Sequence, residues 1–109
     1  MIYDTIIIGA GAAGCVLAAR LSEDRSRSVL LIEAGPDFPT LESLPDDVRL
    51  GYSTPSGMVA RSHDWGYVAK AGSRTESIVR GKLVGGSSAI NAQIYLWGLP
   101  YDFDRWVAA

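Results

Sequence analysis

The sequence predicts an α/β fold that starts with a Rossmann-like βαβ unit and belongs to a larger doubly wound domain. Residues 5–8 form a short, β-branched apolar run, as expected of a parallel strand that is buried on both faces. Residues 9–14 then match the pattern G-x-G-x-x-G. A second apolar run, residues 28–32, ends at Glu33, which lies 19 positions after Gly14. A dinucleotide-binding unit is predicted by this order of elements: a strand, a glycine turn, a helix and a second strand that ends at an acidic residue.

Each glycine of this turn has its own physical role. Gly9 lets the chain turn sharply out of the strand, Gly11 lets the backbone approach a pyrophosphate, and Gly14 lets the helix pack closely on the strand. The free N–H groups and partial positive charge of the helix N-terminus favour a phosphate here. Glu33 is placed to accept hydrogen bonds from a ribose diol, and its carboxylate would repel the 2′-phosphate of NADP. The alternative is a glycine-rich turn in another α/β fold.

The other elements follow from hydrophobic spacing and turn residues. The first helix is predicted over residues 11–22, and residues 24–27 lead into the second strand. Prolines and glycines interrupt residues 37–72, where we expect an irregular excursion with a helical turn at 46–52 and a short strand at 67–70. Residues 104–109, at the end of the sequence, lie in the middle of a helical pattern with no stop signal. The chain is therefore divided into an ADP-binding βαβ unit (1–35), the irregular excursion (36–79) and a second glycine-rich segment (80–109).

The composition limits the size and the partners of the chain. Its 109 residues are 48% hydrophobic and carry a formal net charge of −2, which is typical of a globular protein. The predicted strands are too few for a doubly wound sheet, so we expect the N-terminal portion of a longer polypeptide. Scattered basic residues argue against a nucleic-acid or membrane-surface partner, no stretch suits a membrane span, and a cytoplasmic location is expected. The single Cys15 excludes an internal disulfide and a multi-cysteine metal site.

A second glycine-rich stretch, residues 80–91, reads R-G-K-L-V-G-G-S-S-A-I-N. Two glycines followed by two serines predict a loop that opens a helix, with Ser87 as the N-cap. The glycines permit a backbone nest whose N–H groups can bind an anion, so the two glycine-rich helix N-termini can hold one dinucleotide between them. The alternative is an ordinary glycine–serine helix cap.

Read with the first motif, residues 80–106 resemble the signature of the glucose–methanol–choline (GMC) oxidoreductase family. Its members are FAD-dependent alcohol oxidases and dehydrogenases and related hydroxynitrile lyases. Residues 64–67, D-W-G-Y, resemble the D-W-x-Y segment of the same family. The resemblance covers residues 2–107. It implies an FAD-binding βαβ unit in an oxidoreductase that oxidises an alcohol CH–OH group by hydride transfer to flavin N5.

The resemblance also implies which residues bind the cofactor. The first loop would wrap the FAD pyrophosphate, Glu33 would bind the adenosine ribose beside Ala34, and Trp65 would lie near the cofactor. The second segment would line the cofactor and approach the flavin, where backbone N–H groups can stabilise the reduced ring. The predicted cofactor-binding residues are Gly9, Gly11, Ala12, Ala13, Gly14, Glu33, Ala34, Trp65, Gly81, Val84, Gly86, Ser87, Asn91, Ala92 and Ile94.

The resemblance gives this chain no catalytic residue and no covalent flavin link. Some family members attach the flavin to a histidine just before the asparagine, but this chain has Ile90 there, so we expect non-covalent FAD. The family's catalytic histidine and its partner lie near the C-terminus of the protein, and His63 falls in the wrong segment to match them. An alcohol substrate and the remainder of the polypeptide are the expected partners. The alternatives are a hydroxynitrile lyase-type enzyme on the same fold and a non-catalytic dinucleotide-binding module.

Overall fold

The computed structural model describes residues 2–51 and 60–109. Residues 52–59, which include the end of the predicted helical turn, lie outside this description. The elements in chain order are β1 (Thr5–Ile8), α1 (Ala12–Leu21), β2 (Val29–Ile32), α2 (Asp46–Leu50), β3 (Tyr67–Ala71), β4 (Arg74–Ile78) and α3 (Pro100–Val107). Single 3₁₀ turns lie at Leu41–Ser43 and Gly86–Ser88. The helices α1 and α2 and the strands β1, β2 and β3 begin and end close to their predicted positions.

The N-terminal βαβ unit is confirmed. Strands β1 and β2 pair in parallel from Thr5 opposite Val29 to Ile8 opposite Ile32, and α1 connects them and packs on both. At the start of the strands, the Asp4 carboxylate accepts hydrogen bonds from the Ser28 N–H at 2.8 Å and from its hydroxyl at 2.7 Å. The carboxyl ends of both strands therefore meet at the glycine turn, where a parallel sheet presents its ligand site.

The burial of β1 on both faces is not observed. Ile7 points under α1 and is 8% exposed, whereas Ile6 and Ile8 are 57% and 86% exposed. Only one face of the β1–β2 pair is covered, because α1 packs on that side and none of the described residues forms a layer on the other. An exposed apolar sheet face is what the small number of predicted strands implies.

An antiparallel hairpin occupies the second half of the segment that we expected to be irregular. Strands β3 and β4 pair from Tyr67 opposite Ile78 to Ala71 opposite Arg74. The two-residue loop between them begins at Gly72, whose φ of +62° suits the first central position of a tight hairpin turn. Strand β4 was not predicted, although a Gly-Ser pair between two possible strands is a recognised hairpin signal.

The helix predicted after Ser87 does not form. The chain makes one 3₁₀ turn at Gly86–Ser88, and its N-cap is Gly85 rather than Ser87. The backbone then leaves the helical path, because the Asn91 side-chain oxygen accepts the Gln93 N–H at 2.7 Å and Gln93 has a φ of +54°. Regular structure resumes only at α3, which is the helical pattern expected near the end of the sequence.

A small hydrophobic core anchors the second glycine-rich segment. Leu83 and Ile90, on either side of its glycine pair, are 0% and 2% exposed and pack with Val48 of α2 and with Ala60. This core fixes both ends of the stretch that carries the glycine pair Gly85–Gly86. Among residues 2–51 and 60–109, no helix is both long enough and apolar enough to cross a membrane.

Candidate functional site

The first glycine loop leaves β1 and leads directly into α1. Gly9 adopts a φ of +96°, which only glycine tolerates easily, and its N–H donates to the Ile32 carbonyl at 2.7 Å. A Cβ on Gly14 would collide with the Gly9 carbonyl oxygen, so the helix approaches the turn at the end of β1 more closely than any side chain permits. The roles predicted for Gly9 and Gly14 in the backbone are therefore visible in the structure.

The N-terminus of α1 suits a phosphate group. Its N-cap, Gly11, has no side chain to satisfy the first N–H groups, and the first turn contains no acidic residue. A Cβ built on Gly11 would meet no atom within 4 Å, so the space in front of this residue is open. Ala12 and Ala13 are exposed at the same end. An uncapped helix end beside open space fits a pyrophosphate.

Glu33 lies at the end of β2 and faces the first glycine loop. One carboxylate oxygen accepts the Ala10 N–H at 2.7 Å, and the other accepts the Gly35 N–H at 3.0 Å. The hydrogen bond from Ala10 lowers the pKa of the Glu33 carboxyl below its usual value; partial burial opposes this shift, and the Gly35 N–H adds to it. The group is therefore a fixed anion at neutral pH. Each oxygen can accept a further hydrogen bond, so a ribose diol can still bind here.

The second glycine loop, residues 80–87, docks directly on the first. The Gly85 N–H donates to the Ala10 carbonyl at 2.7 Å, and a Cβ on Gly86 would lie 3.0 Å from the Gly11 Cα. The loop also contacts the chain just after Glu33, since a Cβ on Gly35 would collide with the Lys82 carbonyl oxygen. The two predicted motifs thus form one surface around the N-terminus of α1, a contact that the sequence alone did not predict.

The backbone N–H groups of Gly85 and Gly86, which we predicted to form an anion-binding nest, already donate to carbonyl groups of the protein. The Gly85 N–H is engaged by Ala10, and the Gly86 N–H donates to the Leu83 carbonyl at 2.8 Å. Both glycines adopt positive φ angles, of +97° and +59°, and these turn the loop toward the first motif. The Ser87 hydroxyl, predicted to cap a helix, accepts the Gly81 N–H at 3.1 Å and so closes the loop on itself.

Trp65 contacts the second loop. Its indole N–H donates to the Gly81 carbonyl at 3.1 Å, and the Lys82 ammonium lies 4.9 Å from the centre of its ring. Tyr67 stacks parallel to the ring at a centroid distance of 5.8 Å. The hydrogen bond to Gly81 could not be predicted from the sequence, because it depends on the pairing of two segments 16 residues apart.

The remaining predicted cofactor-binding residues lie at the edges of this surface. Ala34 is exposed next to Glu33, and Val84 is exposed while its N–H donates to the Pro36 carbonyl at 3.0 Å. Beyond the 3₁₀ turn, Asn91 is held by its own hydrogen bond to Gln93, and Ala92 is partly buried. Ile94 is 63% exposed.

The other reactive side chains are engaged locally. The Cys15 thiol, partly buried, donates to the Ala10 carbonyl at 3.1 Å. The ring of His63 packs edge-on against Phe38, and its Nδ1 lies 2.8 Å from the Ser62 hydroxyl. Within the described part of the chain, no group of three or more His, Cys, Asp or Glu side chains could hold a metal ion.

One polar depression in the surface lies away from the glycine loops. It is lined by Asp4, Thr5, Asp24, Ser26 and Arg27, at the start of the two parallel strands. The glycine loops lie at the opposite ends of the same strands. This depression is therefore not part of the candidate site.

Comparison with known proteins gives consistent matches over the whole chain. The family model "GMC oxidoreductase" matches residues 3–109. An oxygen-dependent choline dehydrogenase from Vibrio vulnificus is 45% identical over 105 residues, which are 95% of this chain and 18% of that protein. The crystal structure of pyridoxine 4-oxidase from Mesorbium loti matches with a TM-score of 0.72 and 43% identity, over 99% of this chain and 21% of that one.

A third relative is named as an FAD-dependent enzyme. The structure of an FAD-dependent oxidoreductase from Chaetomium thermophilum matches with a TM-score of 0.68 and 34% identity, over 98% of this chain and 18% of that one. The chain thus spans about a fifth of the length of each of these relatives.

Proposed function

The chain belongs to the GMC oxidoreductase family, and we propose that it forms the FAD-binding part of an enzyme that oxidises an alcohol. The observation that carries this proposal is the docking of the second glycine loop on the first, through the Gly85 N–H and the Ala10 carbonyl at 2.7 Å. The joint surface combines an open helix N-terminus with a fixed carboxylate, which are the two features that a pyrophosphate and a ribose require.

Each part of this surface has a proposed role. The uncapped N-terminus of α1 binds the pyrophosphate, with Gly11 leaving room for it. Glu33 binds the adenosine ribose through the acceptor capacity that its hydrogen bonds to Ala10 and Gly35 leave open. The second loop and the segment from Asn91 to Ile94 extend toward the flavin end. When bound, FAD supplies the redox chemistry by accepting a hydride from the alcohol at flavin N5.

We propose that FAD is held without a covalent bond. Ile90 occupies the position that carries the linking histidine in some family members, and its side chain has no nucleophilic atom. It is also buried in the core with Leu83 and Val48, at 2% exposure. Non-covalent contacts alone would then hold the cofactor.

The proposed substrate class is an alcohol. Choline and pyridoxine, named in two of the relatives, both carry hydroxyl groups. The base that takes the hydroxyl proton is proposed to lie outside this chain. A cytoplasmic location stays a prediction from the sequence.

The proposal is tested on the natural polypeptide that contains this sequence. We expect a two-banded flavin spectrum that passes into the supernatant after acid precipitation, and bleaching of these bands when an alcohol is added without oxygen. Colour that remains in the pellet would refute non-covalent binding. Flavin that no alcohol bleaches, in a protein that cleaves a cyanohydrin, would indicate a lyase. Flavin with neither activity would indicate a non-catalytic module.

A further inference from the structure

The segment that contains Trp65 runs antiparallel to the start of the second glycine loop. The Trp65 backbone N–H donates to the Arg80 carbonyl at 2.9 Å, and the Arg80 N–H donates to the Asp64 carboxylate at 2.8 Å. The Lys82 N–H donates to the His63 carbonyl at 2.7 Å, and the indole N–H adds a fourth link, to the Gly81 carbonyl at 3.1 Å. Trp65 is thus tied to the loop by both its backbone and its side chain.

Contacts with the Trp65 ring, in addition to the hydrogen bond of its N–H, fix the orientation of the indole. Tyr67 stacks at 5.8 Å with an angle of 3° between the rings, and the Lys82 ammonium lies 4.9 Å from the Trp65 ring centre. These contacts hold the ring in a position where its N–H reaches the Gly81 carbonyl. An indole can only donate, so the Gly81 carbonyl is a suitable partner.

Gly81 connects Trp65 with the rest of the second glycine loop. A Cβ on Gly81 would collide with the Gly86 carbonyl oxygen, and the Gly81 N–H donates to the Ser87 hydroxyl at 3.1 Å. Gly86 in turn lies against Gly11, with only 3.0 Å between an ideal Cβ and the Gly11 Cα. An unbroken series of contacts therefore runs from the Trp65 indole to the open end of α1.

We propose that Trp65 is a positioning residue whose indole N–H holds the second glycine loop against the first. It acts on the cofactor through Gly81 and does not need to touch the cofactor. This inference rests on the proposed function, because it assumes that FAD occupies the surface that the two loops form. Loss of the N–H would let the loop shift at Gly81 and would disturb the geometry of Gly86 and Gly11.

The test is Trp65→Phe in the natural polypeptide, since phenylalanine keeps an aromatic ring but removes the N–H. We expect the FAD dissociation constant of the apoprotein to rise about three- to tenfold, the range for one neutral hydrogen bond. We also expect a changed visible circular dichroism band of the bound flavin. The control is Trp106→Phe on α3, a ring that contacts Phe103, for which we expect less than a twofold change.

The outcomes separate this inference from the proposed function. A wild type that binds no FAD overturns both. A wild type that binds FAD, beside a Trp65→Phe protein with an unchanged dissociation constant and an unchanged flavin band, overturns the positioning role alone. A lower melting temperature of the apoprotein with unchanged FAD binding also overturns it. If Trp65→Phe does not fold, benzothienylalanine at position 65 keeps the shape of the indole without its N–H, and the same criteria apply.

Discussion

Gly11 and Gly14 belong to one motif, but their surroundings give them different roles. A Cβ on Gly14 would collide with the Gly9 carbonyl, whereas a Cβ on Gly11 would enter open space. The motif predicts both residues from the sequence because their roles depend on local backbone geometry. Their positions in the motif predicted these separate roles, and the structure shows the close approach at Gly14 and the open space at Gly11.

The first prediction concerns the stability of this contact. Gly14→Ala should lower the free energy of unfolding by about 1–3 kcal/mol, because the backbone of the glycine turn, which is hydrogen-bonded to β2, cannot move aside easily for a methyl group. Urea denaturation of the natural polypeptide measures this change. Gly11→Ala is the matched control: it should change stability by less than about 1 kcal/mol and weaken FAD binding about tenfold or more. Equal losses of stability in the two variants would contradict the distinction.

The second prediction concerns pH and Glu33. The Ala10 and Gly35 N–H groups stabilise the ionised carboxylate, so the pKa of Glu33 is lower in the folded state than in the unfolded state. Its contribution to stability is therefore complete above the unfolded value of about 4.3 and is lost as the pH falls through the lowered folded value. Glutamine at this position keeps one acceptor but sets an N–H₂ group against a backbone N–H.

Unfolding measured from neutral pH to about pH 3 tests this effect. The difference in stability between the wild type and Glu33→Gln should be largest at neutral pH and should shrink in acid. Asp24→Asn is the comparison: hydrogen bonds from Ser26 within its own turn also lower the pKa of that carboxyl, so its effect on stability should shrink in acid too, although it lies away from the glycine loops. A pH-independent difference between wild type and Glu33→Gln would contradict the assignment.

At the scale of elements, local patterns predicted β1, α1, β2 and a short β3, whereas β4, the pairing partner of β3, was missed. The 3.6-residue periodicity of an amphipathic helix and the continuous apolar run of a buried strand can both be recognised within a short stretch of sequence. Strand β4 has four exposed residues out of five, so its sequence carries no hydrophobic alternation that would indicate a strand. The position of Ser87 depends on Gly81, six residues away, and a helix cap was the simpler local interpretation.

The hairpin gives the third prediction. Gly72 has a φ of +62° while Ser73 has a negative φ, so a side chain at position 72 is strained and one at position 73 is not. Gly72→Ala should destabilise the hairpin by about 1 kcal/mol. Amide hydrogen exchange should become about fivefold faster in β3 and β4 and stay unchanged in β1 and β2.

Ser73→Ala is the control for this turn, since it changes the same loop without creating strain and without the extra unfolded-state freedom of a glycine. It should leave the exchange in β3 and β4 within about twofold of the wild type. Equal acceleration in both variants would mean that the turn does not depend on the conformation of Gly72.

At the scale of the whole molecule, the described residues leave large apolar side chains in contact with solvent. On α3 and the segment before it, Trp97 and Trp106 are 83% and 76% exposed, and Ile8 of β1 is 86% exposed. The relatives are about five times longer than this chain, so comparable surfaces in those proteins have much more chain available to cover them. The family's two motifs lie within this chain, which is why so short a sequence indicates its family.

The site could be predicted as a set of residues but not as an arrangement. Motif residues such as Gly9, Gly14 and Glu33 are recognisable from residue type and spacing. The contact of Gly86 with Gly11 brings together residues 75 positions apart, and no local pattern encodes it. The core that Leu83 and Ile90 form with Val48 and Ala60 anchors the second loop, and these residues too come together only once the chain is folded.

The most direct test of the central claim is a calorimetric titration of the apoprotein of the natural polypeptide with FAD, and separately with NAD and NADP. The joint surface of the two glycine loops predicts one FAD bound per chain, much weaker binding of NAD, and no binding of NADP because Glu33 repels its 2′-phosphate. Binding of NAD in preference to FAD would contradict the account, as would FAD affinity that is unaffected by Gly11→Ala.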